Sequence, residues 1–248
     1  MPDIPTALFF TGFTFLLAGL VKGVIGLGLP TVAVGLLSIV MLPAQAASLL
    51  IVPSLVTNIW QLAAGPRFWN TARRLWPMMA GIAAGTWAGS GLMTGDTADE
   101  ATIALGFALI VYAALGLAAV RPSVPAKHEN WLSPVIGAGT GLVTAATGVF
   151  VIPAVPYLQA LGLQKDDLVQ ALGLSFTVST IALALTLAQE GVFAASTAAA
   201  SLLALMPALA GMALGQWVRG RVSERAFRLC FFVGLLMLGG HLAAGAFT

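Results

Sequence analysis

The chain has 248 residues, of which 59% are hydrophobic and only 8% charged, and its mean hydropathy is +0.97. A soluble domain carries about 25% charged residues, so this chain has too little charge to cover a water-exposed surface. A soluble enzyme or binding domain is excluded, the net charge of +2 is too small for a nucleic-acid surface, and the single cysteine, Cys230, leaves no intrachain disulfide or cysteine metal cluster.

A membrane-crossing helix needs about 20 apolar residues. The first apolar stretch, 6–41, is longer than one crossing and is broken by glycine and proline. Helices are predicted at 44–64, 71–93 and 99–120. The polar stretch 121–130, RPSVPAKHEN, reads as a linker. A second broken stretch follows at 132–162, with short arms at 132–143 and 148–162. Further helices are predicted at 167–188, 194–217 and 225–246. Backbone groups in lipid must bond internally, and the alternation of a barrel strand is absent, so the segments are helical. The start, Met1-Pro2-Asp3, lacks the positive n-region of a cleavable signal peptide.

The two broken stretches belong to an internal repeat. PMMAGIAAGTW at 77–87 aligns with PALAGMALGQW at 207–217, matching Pro77, Ala80, Gly81, Ala83, Gly85 and Trp87 with Pro207, Ala210, Gly211, Ala213, Gly215 and Trp217. GLVKGVIGLGLP at 19–30 aligns with GLVTAATGVFVIP at 141–153, and Thr57-Asn58 more weakly with Ser179-Thr180. The expected organisation is a first membrane repeat at 1–120, a cytoplasmic linker at 121–130 and a second repeat at 131–248, within one membrane domain.

Charge then selects a topology. If each broken stretch crossed once, Arg67, Arg73, Arg74, Arg121 and Lys127 would lie on one side and Lys165, Arg219, Arg221, Arg225 and Arg228 on the other, against the positive-inside bias. If each stretch enters and returns on one side, all of these lie together, in the cytoplasm. Asp3, Asp96, Asp99, Glu100 and Glu190 then lie opposite. The expected fold is therefore an all-α integral membrane protein of two inverted repeats, each a broken-helix hairpin plus three transmembrane helices, with both termini outside. Inverted repeats with broken helices are a recurring transporter design. The short arms of the second stretch favour re-entrant hairpins meeting near the midplane.

Lys22 is the one charged residue that no loop accounts for, and an intramembrane charge marks a functional site by default. The alternative is a flanking lysine that snorkels to an interface. All nine acidic residues lie in loops or at segment ends, so the midplane carboxylate of a cation carrier is missing and an anion is the expected cargo. Gly23, Gly26 and Gly28 follow Lys22 and precede a new helical arm, whose free N–H groups and positive dipole end suit an anion. Thr144, at the position of Lys22, and then Thr147 and Gly148 occupy the second tip. Thr57, Asn58 and Gln61 in the first half, and Gln170, Ser175, Thr177, Ser179 and Thr180 in the second, offer hydrogen bonds to oxyanion oxygens. Close helix packing is the competing explanation for the glycines, and interhelical bonding for the polar side chains.

An enzyme is disfavoured. His128 is in the linker and His241 near the C-terminus, so no base is placed beside a central nucleophile. There is no metal-ligand spacing and no P-loop pattern, and no cofactor is expected. An accessory subunit would need neither an intramembrane lysine nor a duplicated hairpin.

GLVKGVIGLGLP, the following LPAQAASLLIVPSLVTNIWQ at 42–61 and the repeated P-x-x-A-G-x-A-x-G pattern resemble the sulfite exporter TauE/SafE family over essentially the whole chain. Phe150 stands where the first half has Gly28, and Thr144 where it has Lys22. The resemblance implies a permease of the bacterial inner membrane for sulfite, sulfoacetate or related sulfonates, often in the export direction. Composition carries no sulfur specificity. A permease for another small anion or metabolite remains the alternative. Coupling ion and any homo-oligomer are not readable.

Overall fold

The computed structural model describes residues 4–94, 97–118 and 123–245. Asp3, Asp96 and Arg121, which the charge argument uses, lie outside the described residues, as does the side chain of Glu224. So do residues 119–120 and 246, at the ends of two predicted helices. Within the described residues there are ten helices and no strand. They are α1 (Ile4–Ile25), α2 (Leu29–Leu37), α3 (Pro43–Ala63), α4 (Phe68–Ala88), α5 (Ala98–Ala118), α6 (Ala126–Thr147), α7 (Ala154–Ala160), α8 (Lys165–Gln189), α9 (Ala195–Arg219) and α10 (Glu224–Ala244). Six of them, α1, α3, α5, α8, α9 and α10, are long and apolar enough to cross a membrane. Large apolar side chains such as Phe9, Leu203 and Met237 point outward and hydroxyls such as Thr14, Ser54 and Ser179 point inward, the arrangement expected when the surrounding solvent is lipid.

Each broken stretch is a long helix followed by a short one. α1 ends where Gly26 and Gly28 take positive φ values of 77° and 101°, a conformation open to glycine at no steric cost. Pro30 then starts α2, where its missing N–H has no helical partner to lose. In the second half Gly148, with φ 71°, caps α6, and Pro153 precedes the seven residues of α7.

The second hairpin corrects an expectation. Its entering arm is not the short 132–143 but α6, 22 residues from Ala126, about 33 Å at 1.5 Å per residue. The helix extends back through Lys127, His128 and Glu129, so most of the predicted linker is the polar first turns of α6. Pro134 is accommodated inside the helix. Only the returning arms, α2 and α7, are short: nine and seven residues.

Glycines set how the long helices pair. On α1 and α9, Gly19 faces the Ala208 carbonyl, Gly23 that of Met212, Gly211 that of Leu16 and Gly215 that of Leu20. On α4 and α6, Gly81 faces Pro134, Gly85 faces Ala138, Gly137 faces Met78 and Gly141 faces Ile82. A Cβ at any of these eight sites would strike backbone. The packing explanation therefore holds for Gly81, Gly85, Gly211 and Gly215. In both pairs the residue numbers rise together, so the paired helices run parallel. The strongest of the remaining pairings are α5 with α10, α3 with α8, α3 with α9 and α4 with α8. This set is unchanged when α1–α5 and α6–α10 are interchanged.

These directions bring the basic residues to one end. The Arg74 guanidinium donates two hydrogen bonds to the Glu129 carboxylate at 2.6 and 2.8 Å, and Arg67 pairs with Asp167 at 3.4 Å. α9, parallel to α1, delivers Arg219 and Arg221 to the same end. At the other end Glu190 accepts from the Gly91 N–H at 2.6 Å, beside Asp99 and Glu100 in the first turn of α5.

Candidate functional site

α3 and α8 cross antiparallel through the centre of the bundle. α3 carries Pro53, and the helix continues through it. Over the next turn and a half Ser54, Thr57 and Asn58 face inward, each 1% exposed. Thr57 donates to the Pro53 carbonyl at 2.8 Å. Asn58 donates to Ser54 Oγ at 3.0 Å and to Thr180 Oγ1 on α8 at 3.3 Å. Ser54 and Thr180 hydroxyls lie 3.2 Å apart.

Lys22 completes this cluster from α1. Its side chain is 6% exposed, so it does not snorkel to an interface. The ammonium donates to Thr57 Oγ1 at 2.9 Å and to Asn58 Oδ1. Both acceptors are neutral. An ammonium has three donors, and among the described residues no carboxylate pairs with it. The site is a buried positive charge set among hydroxyls and one amide, a donor-rich surface suited to an oxyanion.

The structure brings together Lys22, Thr57, Asn58 and Thr180 of the residues named from sequence. It does not bring the other candidates to this point. Gly23 packs against α9 near Met212 and Gly215. The Gly26 N–H is bonded to the Lys22 carbonyl at 2.7 Å and the Gly148 N–H to the Thr144 carbonyl at 2.8 Å, so neither is free for an anion. Gly28 fits between Val21 and Phe231. Thr144 donates to the Thr140 carbonyl at 2.7 Å, and Thr147 to the Val143 carbonyl at 2.7 Å. The second tip touches α3 at Ala47, where Gly148 packs, about 15 Å along the helix from the contacts of Lys22. The two tips therefore pass one another rather than meeting at one depth.

Gln61 and Gln170 form a clasp. Gln170 is fully buried; its Nε2 donates to the Leu62 and Gly65 carbonyls at 3.0 and 2.8 Å, and its Oε1 accepts from the Arg67 N–H at 2.9 Å. Gln61 donates to the Val169 carbonyl at 3.2 Å. These bonds tie α8 to the end of α3 and the α3–α4 connection, between the Lys22 cluster and the arginine end. Thr177 donates to the Gly173 carbonyl at 2.7 Å. Ser175 and Ser179 are buried with no partner for either hydroxyl.

Two features are not among the candidates that the sequence offers. Ser54 is one helical turn before Asn58, so spacing alone could have found it. A cavity of about 600 Å³ lies at the end opposite the arginines, lined among others by Gln45, Ser48, Thr94, Ser196 and Thr197. It is assembled from three separate parts of the chain, and Lys22 is not in its wall. Among the described residues, no group of three or more His, Cys, Asp and Glu side chains is placed to hold a metal ion.

The sequence profile of the sulfite exporter TauE/SafE family matches residues 11–242. The chain belongs to that family. No curated protein and no solved structure matches it. TauE/SafE proteins are membrane transporters of sulfur-containing anions rather than enzymes, and six helices long and apolar enough to cross a membrane suit a multi-pass membrane protein.

Proposed function

We propose that this TauE/SafE protein carries a small organosulfur anion, such as sulfite, sulfoacetate or another sulfonate, out across the bacterial inner membrane. The observation that carries the reading is the Lys22 ammonium, buried between Thr57 and Asn58 with neutral partners only. A lone charge in a low-dielectric interior is costly. An oxyanion entering the cluster compensates it and accepts from the ammonium and, as the Asn58 amide leaves Ser54 and Thr180, from that amide and the Ser54 hydroxyl; the Thr180 hydroxyl stays on the Phe176 carbonyl at 2.7 Å. A sulfonate presents three acceptor oxygens to that set.

The carrier cycle rests on two inverted repeats, 1–120 and 131–248, rocking against each other. The polar stretch 121–130, whose second half forms the first turns of α6, joins them on the cytoplasmic face, and both termini are outside. The interchangeable pairing of α1 with α9 and α4 with α6 supports this reading, as does the collection of basic residues at one end. Gln61 and Gln170 hold the cytoplasmic end shut in the present conformation. Ser175 and Ser179, buried and unpartnered, are the hydroxyls available to follow the anion when α8 moves.

The test is flux of labelled sulfite and sulfoacetate in proteoliposomes, wild type beside Lys22→Gln. Flux in the wild type that falls to the level of empty liposomes in the variant is the expected result. Equal flux in both would remove Lys22 from the site, and no flux of either anion in the wild type would sink the organosulfur assignment.

A further inference from the structure

The cavity at the carboxylate-bearing end has a floor of defined construction. Pro53 has no N–H, so the Leu49 carbonyl one turn earlier loses its helical donor. Ser201 of α9 supplies one: its hydroxyl donates to the Leu49 carbonyl at 2.8 Å. The same oxygen accepts the Val52 N–H at 3.0 Å. Ser201 is fully buried. Leu49 and Ser48 on α3 and Ala200 on α9 line the cavity directly above this contact. Ser54, on the other side of it, begins the chain of bonds through Asn58 to Lys22. Leu49 and Asn58 are about 14 Å apart along α3.

The lining chemistry suits an anion in transit. Gln45 and Ser196 offer neutral donors, the Ser48, Thr94 and Thr197 hydroxyls are shared with the Gln45, Gly91 and Val192 carbonyls, and among the described residues no charged side chain is in the wall. Neutral donors hold an oxyanion weakly, which lets it leave. The volume, about 600 Å³, is many times the roughly 30 Å³ share of one water, so a small sulfonate fits with much of its hydration shell.

We propose that this cavity is the outer antechamber of the substrate route, binding a hydrated oxyanion between solution and Lys22, and that the Ser201 contact with the turn of α3 before Pro53 is the barrier between the two. The proposal rests on the transport reading above. Separating α9 from α3 breaks two hydrogen bonds from one side chain, and water from the cavity satisfies both backbone groups afterwards. Helices bend at proline, so the segment before Pro53 swings without disturbing Ser54, Thr57 and Asn58.

Cys230 is the only cysteine, so a Cys230→Ser background accepts single probes. Ser48→Cys and Thr197→Cys are treated from outside with an anionic methanethiosulfonate, and sulfoacetate flux is read in proteoliposomes. Asp99→Cys, at the same end but outside the cavity wall, is the control. Labelling at 48 or 197 is expected to abolish flux, sulfoacetate to slow labelling at 48, and labelling at 99 to leave flux unchanged. Complete labelling at 48 and 197 with full flux would overturn the antechamber while leaving transport intact. No flux in the unlabelled background, with wild type equally silent, would overturn the transport reading and this proposal with it. For the barrier, Ser201→Ala is combined with Ser54→Cys, and the labelling rate from outside is expected to rise roughly thirtyfold, about the effect of two hydrogen bonds. An unchanged rate would overturn the barrier.

Discussion

Lys22 on α1 and Asn58 on α3, 36 residues apart in the chain, are hydrogen-bonded through the ammonium and the amide oxygen in the interior of the bundle. The amide nitrogen of the same Asn58 turns to Thr180 on α8. One side chain therefore connects the buried cation of the first half to the second half of the molecule.

That bond separates function from stability. Lys22→Met removes a charge that the fold must desolvate, and the variant is expected to gain about 1 kcal/mol in thermal unfolding in detergent while losing flux. Lys22→Arg keeps the charge but carries a larger, planar head group, and its flux is expected to stay far below wild type. A Lys22→Met protein that is both less stable and active would contradict the assignment.

The glycine crossings set a second expectation. Gly85→Val pushes a branched side chain into the Ala138 backbone and is expected to destabilise by roughly 3 kcal/mol or to prevent folding. At Gly12 an added methyl group would meet nothing within 4 Å, so Gly12→Ala is expected to be neutral or to stabilise by up to about 1 kcal/mol. Size-exclusion profiles after heating, compared across the two variants, check both.

Gln170 uses three hydrogen bonds to hold α8 to the α3–α4 connection. Gln170→Ala is expected to lower stability by about 2 kcal/mol. Gln170→Glu turns a carboxylate oxygen toward the Leu62 and Gly65 carbonyls and is expected to be worse than alanine. A Gln170→Glu protein as stable as wild type would show that the clasp is not closed in solution.

Topology has its own measurement. In a Cys230→Ser background, an impermeant thiol reagent applied outside is expected to label Thr94→Cys and to miss Arg73→Cys and Arg221→Cys. Outside labelling of Arg221→Cys would place the arginine end on the wrong side and overturn the proposed orientation.

Hydropathy and periodicity by themselves determined the class and most of the helices. Each of the six predicted plain segments overlaps a helix, most within three residues at either end, because a crossing helix is a local property of some twenty apolar residues. The exception is the end of 71–93: α4 stops at Ala88, and the chain turns through Gly89 and Gly91. Lys22 stands out for the same local reason, being a charge with no loop to explain it. Its partners do not. Thr57 and Asn58 are legible as candidates, but so are Gln61 and Gln170, and only the packed bundle shows that the glutamines bond to backbone instead. Gly23 and Gly26 sit beside the lysine in sequence, yet helix rotation turns one onto α9 and ties the N–H of the other into a cap. The start of α6 is hidden because polar residues at a helix end look like a linker. In lipid the outside of a helix is as apolar as its packed face, so pattern does not report which side meets a neighbour. The rotation and depth of each helix, and hence the cavity and the Ser201 contact, were decided only when glycine backbones met carbonyls across the crossings.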